Sequence, residues 1–358
     1  MVSLRWGGLA ARAALFVSTH SAERASTSSY TQNAHDATTA LQSCIATVMS
    51  NTFIKAQSTA ATAQKTVSLN GMVSSKYSYD KRDIAARGFS NFLNEYYDDE
   101  GWWALAWIRA WDVTQNDAFL SMAELIFADM QNGTDDKCGG GIWWSKDRAY
   151  KNAIANELYL SVAASLANRV PGYNEYYLDI AKREWAWFKS SGMINEGKLI
   201  NDGLRINANG SCVNNGLNTW SYNQGVVLGG LAELSRASGD KSYLNEAVGI
   251  GKAAIKLLSD NMGVIHESGG CEPNCGGDGS QFKGIFMRNL HYLHSVAPQD
   301  EFRTVILANA DSIWANDRDA ANNRLGISWT GPASAGGGPN ASTHSSAMDV
   351  LVAAMAVS

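Results

Sequence analysis

The feature that most limits how this chain can fold is the recurrence of one helical pattern. The segments DAFLSMAELIFADM from Asp117, EYYLDIAKREWAWF from Glu175, KSYLNEAVGIGKAAI from Lys241 and DEFRTVILANADSIW from Asp300 read as versions of one helix. Their aromatic anchors Phe119, Tyr177, Tyr243 and Phe302 fall roughly 60 residues apart, the spacing of a supersecondary unit. Apolar residues return at i, i+3, i+4 and i+7, which gives each helix one buried stripe and one wet face. Ahead of each runs a second helix richer in small residues: EGWWALAWIRAWD, KNAIANELYLSVAASLANR, NQGVVLGGLAELSRAS and FKGIFMRNLHYLHSV, with STHSSAMDVLVAAMA as a fifth. Gly and Ala permit close helix contact, and the mixed apolar character suits burial on most sides. Inner and outer helices alternating around a ring predict an all-α fold, an α/α toroid. GKLIN and LGISW read at most as short loop hairpins.

Composition narrows the function classes. The 358 residues are 45% apolar and 18% charged with a formal charge of -5, which fits a globular protein with a sizeable core. No Lys/Arg cluster resembles a phosphate-tracking stripe, so nucleic acid is not an expected partner. No window of about 18 apolar residues reads as a membrane span. Residues 1–30 read as a leader, an atypical signal peptide interrupted by Arg12, and residues 31–358 as a single domain. Glycosylation sequons at Asn132, Asn209 and Asn340 favour secretion. Of five cysteines, Cys271 and Cys275 flank a turn and lack metal-site partners, so a disulfide is expected there. His266, His291, His294 and His344 have no metal-ligand spacing, and the Gly-rich turn around Asp278 lacks the other ligands of a calcium loop. Neither metal nor cofactor is expected.

In a toroid the loops entering the inner helices gather at one end. That end would hold Asp98-Asp99, CGGGIWWSKDRAYKN, NTWSYNQG, GDGSQFKG and GPNASTHSS, glycine beside aromatic and amide residues, a composition suited to a hydroxyl-rich ligand. The stretch NEYYDDEGWWALAWIRAWD places Asp98, Asp99 and Glu100 directly against Trp102 and Trp103. Cleaving a glycosidic bond takes one protonated and one anionic carboxyl, about 5–5.5 Å apart for retention and about 6.5–9.5 Å for inversion. At a helix mouth the dipole favours an anion on one aspartate, while like-charge repulsion raises the pKa of the other. The competing reading is plain: acids are ordinary first-turn residues, and tryptophan at helical spacing is ordinarily core.

The segments YYDDEGWWALAWIRAWDVT, CGGGIWWSKDRAYKNAIANELYLSVAASLANR, REWAWFKSSGMIN, NDGL, TWSYNQGVVLGGLAEL, QFKGIFMRNL, ADSIWANDR and NASTHSSAMDVLVAA together resemble the fungal members of glycoside hydrolase family 76, the endo-α-1,6-mannanases. The resemblance runs from Ile84 onward. It implies an (α/α)6 toroid and retaining endo-hydrolysis of α-1,6-linked mannan, with chain transfer in wall remodelling as a variant. It also implies a secreted or cell-wall-associated monomer acting on mannan or mannooligosaccharides. By position Asp98 matches the nucleophile and Asp99 the acid/base, with Trp102 and Trp103 helping to form the wall. One departure stands out: TALQSCIATVMSNTFIKAQ runs where the family carries a Trp-rich inner helix, and no tryptophan lies between Trp6 and Trp102. The reading is that one inner helix is missing near residues 42–52, leaving five where six are expected. A catalytically weak mannan-binding protein is the alternative that follows from such a gap.

Further substrate-binding candidates follow from position. Trp143 and Trp144 follow three glycines, where backbone and sugar could approach closely; core packing is the alternative. Asp202, in INDGL, is either a ligand for mannose hydroxyls or a turn aspartate. Tyr222, Asn223 and Gln224 open an inner helix at the active end, as ligand contacts or caps.

Overall fold

The computed structural model describes residues 29–34, 36–37 and 92–358. Nine long helices account for most of the described chain: α1 Tyr97–Thr114, α2 Asp117–Gln131, α3 Ala153–Ala167, α4 Asn174–Ser190, α5 Ser221–Ser238, α6 Ser242–Leu258, α7 Phe282–Val296, α8 Asp300–Asn316 and α9 Ala341–Val357. The odd-numbered helices pack in sequence, α1 on α3, α3 on α5, α5 on α7 and α7 on α9. Each of the even-numbered helices α2, α4 and α6 lies against the inner helix before it, while α8 lies against both α7 and α9. This is the α/α toroid, with inner helices running in parallel.

Burial explains the sorting. Every residue of α3 from Ala153 to Ala167 is buried, as a helix surrounded by other helices must be. By contrast α2 buries Leu120, Ala123, Ile126, Phe127 and Met130, one stripe at helical spacing. Glycine sets the inner spacing. A Cβ on Gly101 would meet Leu158 Cβ at 2.7 Å, on Gly230 Ser161 Oγ at 2.6 Å, on Gly225 Phe286 Cα at 2.6 Å, and on Gly284 Ser346 Cα at 2.5 Å. Each successive pair of inner helices therefore meets across a residue whose missing side chain lets the backbones approach.

The short strands are loop hairpins. β1 Leu204–Ile206 pairs antiparallel with β2 Cys212–Asn214, and β3 Arg318–Asp319 with β4 Arg324–Leu325. They lie beside the expected positions: GKLIN contributes only the bridge of Ile200 to Ile194, and Leu325 alone of LGISW is in a strand. Cys271 bonds Cys275 as expected, and Cys138 bonds Cys212, tying the glycine loop to β2.

Residues 29–34 and 36–37 are helical and contact α8 and α9. There Tyr30 Oη donates to Asp311 at 2.9 Å, and His344 Nε2 lies 2.7 Å from the Ala37 carbonyl. The gap read near residues 42–52 lies outside the described residues, as do residues 1–28 of the expected leader.

Candidate active site

The N-termini of α1, α3, α5 and α7 converge on an open cleft of about 230 Å³. Its lining comprises Asp98 and Trp102 from α1, Trp144, Tyr150 and Asn152 from the loop into α3, and Asp202 from the loop after α4. Tyr222 from α5 and Asp278, Gln281, Phe282 and Ile285 at the start of α7 complete it. Helix N-termini place partial positive charge at this end, which favours the ionised form of a first-turn acid such as Asp98.

Asp98 lies in the first turn of α1. Its Oδ2 accepts the Trp144 indole N–H at 3.0 Å, and its Oδ1 accepts the backbone N–H of Asp99 at 3.0 Å. Burial, and then the neighbouring Asp99 charge, push Asp98 up to about 7, against the pull of the Trp144 bond. Asp99 is half-buried and receives Asn94 Nδ2 at 3.3 Å; it is not among the residues lining the cleft. The third acid, Glu100, is fully buried and structural: Lys146 Nζ donates to it at 2.9 Å and to Asp129 at 2.6 Å. Backbone bonds from Tyr97 N to the Trp144 carbonyl and from Lys146 N to the Glu95 carbonyl fasten this turn to the Trp144 loop.

Asp202 forms a second acidic position. Tyr150 Oη donates to its Oδ2 at 2.5 Å, and Asn215 Nδ2 donates to Tyr150 Oη at 2.8 Å. Burial raises the Asp202 pKa while the Tyr150 and Trp220 bonds lower it. The aromatic wall is Tyr222 stacked on Phe282, ring centroids 3.8 Å apart and 5° from parallel. Trp102 closes the base over Ile154, Leu158 and Val226.

Of the ten residues singled out from sequence, Asp98, Trp102, Trp144, Asp202 and Tyr222 line the cleft. Four others are packed into the structure. Trp103 lies against Phe92 and Trp107, with ring centroids 4.7 and 6.4 Å away. Trp143 is 5% exposed, and its indole donates to Asp135 at 2.7 Å. Successive residues of an extended segment point to opposite sides, so Trp144 reaches the cleft and Trp143 cannot. The glycines before them serve protein rather than ligand: a Cβ on Gly141, at φ +79°, would lie 2.2 Å from the Trp187 ring. Gln224 is fully buried and binds both the Ile200 N–H and its carbonyl, each at 2.8 Å. Asn223 is fully buried, and its side-chain amide has no hydrogen-bond partner among the described residues.

Tyr150, Asn152, Gln281, Phe282 and Ile285 were not singled out, and Asp278 was weighed only as part of a calcium loop. All stand within or beside loops read as belonging to the active end, but nothing local marks which side chain turns inward. His266 is a strut: it bridges Asp260 at 3.3 Å and Glu272 at 3.1 Å. Among the described residues no cluster of three or more His, Cys, Asp or Glu could hold a metal ion.

Comparison with known proteins adds the context. The model of Glycosyl hydrolase family 76 matches residues 14–358. The mannan endo-1,6-alpha-mannosidase DFG5 of Candida albicans is 32% identical over 237 residues, which are 61% of this chain and 51% of that protein. A putative mannan endo-1,6-alpha-mannosidase of Schizosaccharomyces pombe is 31% identical over 216 residues, 56% of this chain and 48% of its own length. The chain thus spans about half the length of the curated relatives it matches. Among solved structures, the GH76A alpha-1,6-mannanase of Salegentibacter superposes with a TM-score of 0.67 at 22% identity, covering 99% of this chain and 100% of that one. A variant of it inactivated at two adjacent aspartates, in complex with alpha-1,6-mannotriose, superposes at 0.68 with 22% identity and the same coverage. These likenesses establish the shared toroid.

Proposed function

The chain belongs to Glycosyl hydrolase family 76, and on that footing we propose that it is an endo-acting hydrolase of α-1,6-linked mannan that retains anomeric configuration. The observation that carries the proposal is Asp98, held by an indole N–H at the base of an aromatic cleft and followed directly by a second aspartate. Two relatives of about 30% identity are named as mannan endo-1,6-alpha-mannosidases, which supports the substrate class.

In this reading the Asp98 carboxylate attacks the anomeric carbon and forms a glycosyl-enzyme ester as the glycosidic C–O bond breaks. Asp99, which stands just behind the cleft lining, turns toward the bound substrate to give its proton to the departing oxygen, then takes one from the water that cleaves the ester. Burial and then the neighbouring Asp99 charge push Asp98 up to about 7, and the working arrangement has it anionic. The Trp144 N–H and the α1 N-terminus stabilise that anion. Asp202, oriented by Tyr150, accepts hydrogen bonds from sugar hydroxyls, while Trp102 and the Tyr222–Phe282 stack meet the apolar faces of the rings. Transfer to a second mannan chain is the same sequence with a sugar hydroxyl in place of water. Two disulfides and three exposed sequon asparagines support action outside the cytosol, at the cell wall or beyond it.

The test is release of mannooligosaccharides from linear α-1,6-mannan, followed by chromatography. The expected result is internal cleavage by the native chain and none by Asp98→Asn or Asp99→Asn proteins with unchanged melting temperature. Absence of cleavage by the native chain, or full activity in both variants, would overturn the reading.

A further inference from the structure

Among the described residues the cleft lining carries three carboxyl groups, those of Asp98, Asp202 and Asp278, and no lysine, arginine or histidine. The lysines closest in sequence are committed elsewhere. Lys146 is engaged by Glu100 and Asp129. Lys151, between Tyr150 and Asn152, is fully buried against Asp135 and the carbonyls of Lys137, Gly140 and Gly141, all within 3.0 Å. Lys283, next to Phe282, is 2.6 Å from Glu272 and donates to the Ile327 carbonyl at 3.0 Å.

Asp278 differs from the other two acids. Asp98 receives the Trp144 indole and Asp202 the Tyr150 hydroxyl. The Asp278 side chain is exposed at the rim, with no hydrogen-bond or ion-pair partner for it among the described residues. It stands on the turn Gly276–Gly279, directly after the loop closed by Cys271–Cys275 and ahead of α7. A rim carboxylate contributes to the potential that an entering ligand meets, and cleft walls of low dielectric focus that potential.

We propose that Asp278 makes the cleft selective for ligand charge, turning away mannosyl units that carry phosphate while admitting neutral and ammonium-bearing ones. This rests on the reading of the cleft as a mannan site. A phosphate monoester brings about -1.5 to -2 charges at neutral pH, and no cation among the described lining residues meets them. Repulsion between groups at a wet rim is screened by salt, which gives the proposal a second handle.

The experiment compares three α-1,6-mannotriosides that differ only at C6 of the non-reducing-end ring, bearing hydroxyl, phosphate or ammonium. kcat/KM is measured for the native chain and for Asp278→Asn and Asp278→Glu, at low salt and at about 0.5 M salt, where screening acts within a few ångströms. The native chain is expected to disfavour the phosphate form at least about tenfold against hydroxyl, with ammonium equal or better. Asp278→Asn and high salt should each remove most of that gap, and Asp278→Glu should preserve it. Equal handling of hydroxyl and phosphate by the native chain, or a gap unchanged in Asp278→Asn, overturns the charge proposal alone. If the hydroxyl form is neither bound nor cleaved, the mannan reading falls and this proposal falls with it.

Discussion

At the far end of the inner helices, Arg169 holds Asp112 at 2.7 Å and Glu233 at 2.9 Å, and Tyr292 Oη donates to Glu233 at 2.9 Å. Arg169 keeps the Glu233 carboxyl below its ordinary range despite burial. At the mouth, on the opposite ends of the same helices, Asp98 and Asp202 are held by Trp144 and Tyr150, neutral donors, and both are raised. The fold thus treats one residue type in two ways. Where the barrel must only be closed, a guanidinium holds Glu233 as an anion. At the mouth the acids are desolvated and, among the described residues, left without a cation, which makes their ionisation responsive to what enters the cleft.

The sharpest break in this contrast is at the mouth. Asp98→Asn should reduce hydrolysis of α-1,6-mannan by about a thousandfold or more with little change in melting temperature. The converse variant is Arg169→Met. It leaves Glu233 buried without its cation and should cost about 3–5 kcal/mol in urea denaturation, while turnover per folded molecule is retained. Equal losses of activity in the two variants would erase the distinction between the ends. A finer comparison pairs two tryptophans. Trp144→Phe removes the indole bond to Asp98 and should lower kcat about tenfold, within the range of one charge-assisted hydrogen bond. Trp103→Phe should instead cost about 1 kcal/mol of stability and leave kcat and KM alone.

The smallest expected effect is on stability against pH. Burial raises Glu184 and Asp317 to about 8 and Asp98 to about 7, so the folded chain holds protons that the unfolded chain releases near pH 4. Stability from these groups is present below about pH 4 and is lost as pH rises through about 8. Glu233 has the opposite sign, its contribution present above the unfolded value and lost on acidification. The melting temperature should therefore be higher at pH 5 than at pH 9, and Asp317→Asn should flatten the fall. A melting temperature that rises over that interval would contradict the assignment of these acids as proton-holding.

Much of the architecture was legible because the toroid writes its period into the chain. Phe302 and Tyr177 mark outer helices, while glycines such as Gly225 and Gly284 mark close inner contacts. Asp98 was legible for the same reason, being in the first turn of an inner helix. Trp143 and Trp144 were not distinguishable, since both follow the same glycines and only the pleat direction separates them. Tyr150 was not singled out, and Asp278 was weighed only as part of a calcium loop, because their places in the cleft come from loop closure, one through a bond to Asp202 from 52 positions away and the other beside a disulfide. Gln224 looked like a ligand contact, but its amide serves the Ile200 backbone, which only the folded chain brings near.

The most direct test is proton NMR of the products released from α-1,6-mannotetraose, recorded within the first turnovers and before mutarotation. The α-anomer is expected to appear first from the native chain, and no product from Asp98→Asn. A β-anomer appearing first would contradict the double-displacement role given to Asp98 and Asp99, and no cleavage at all would contradict the function itself.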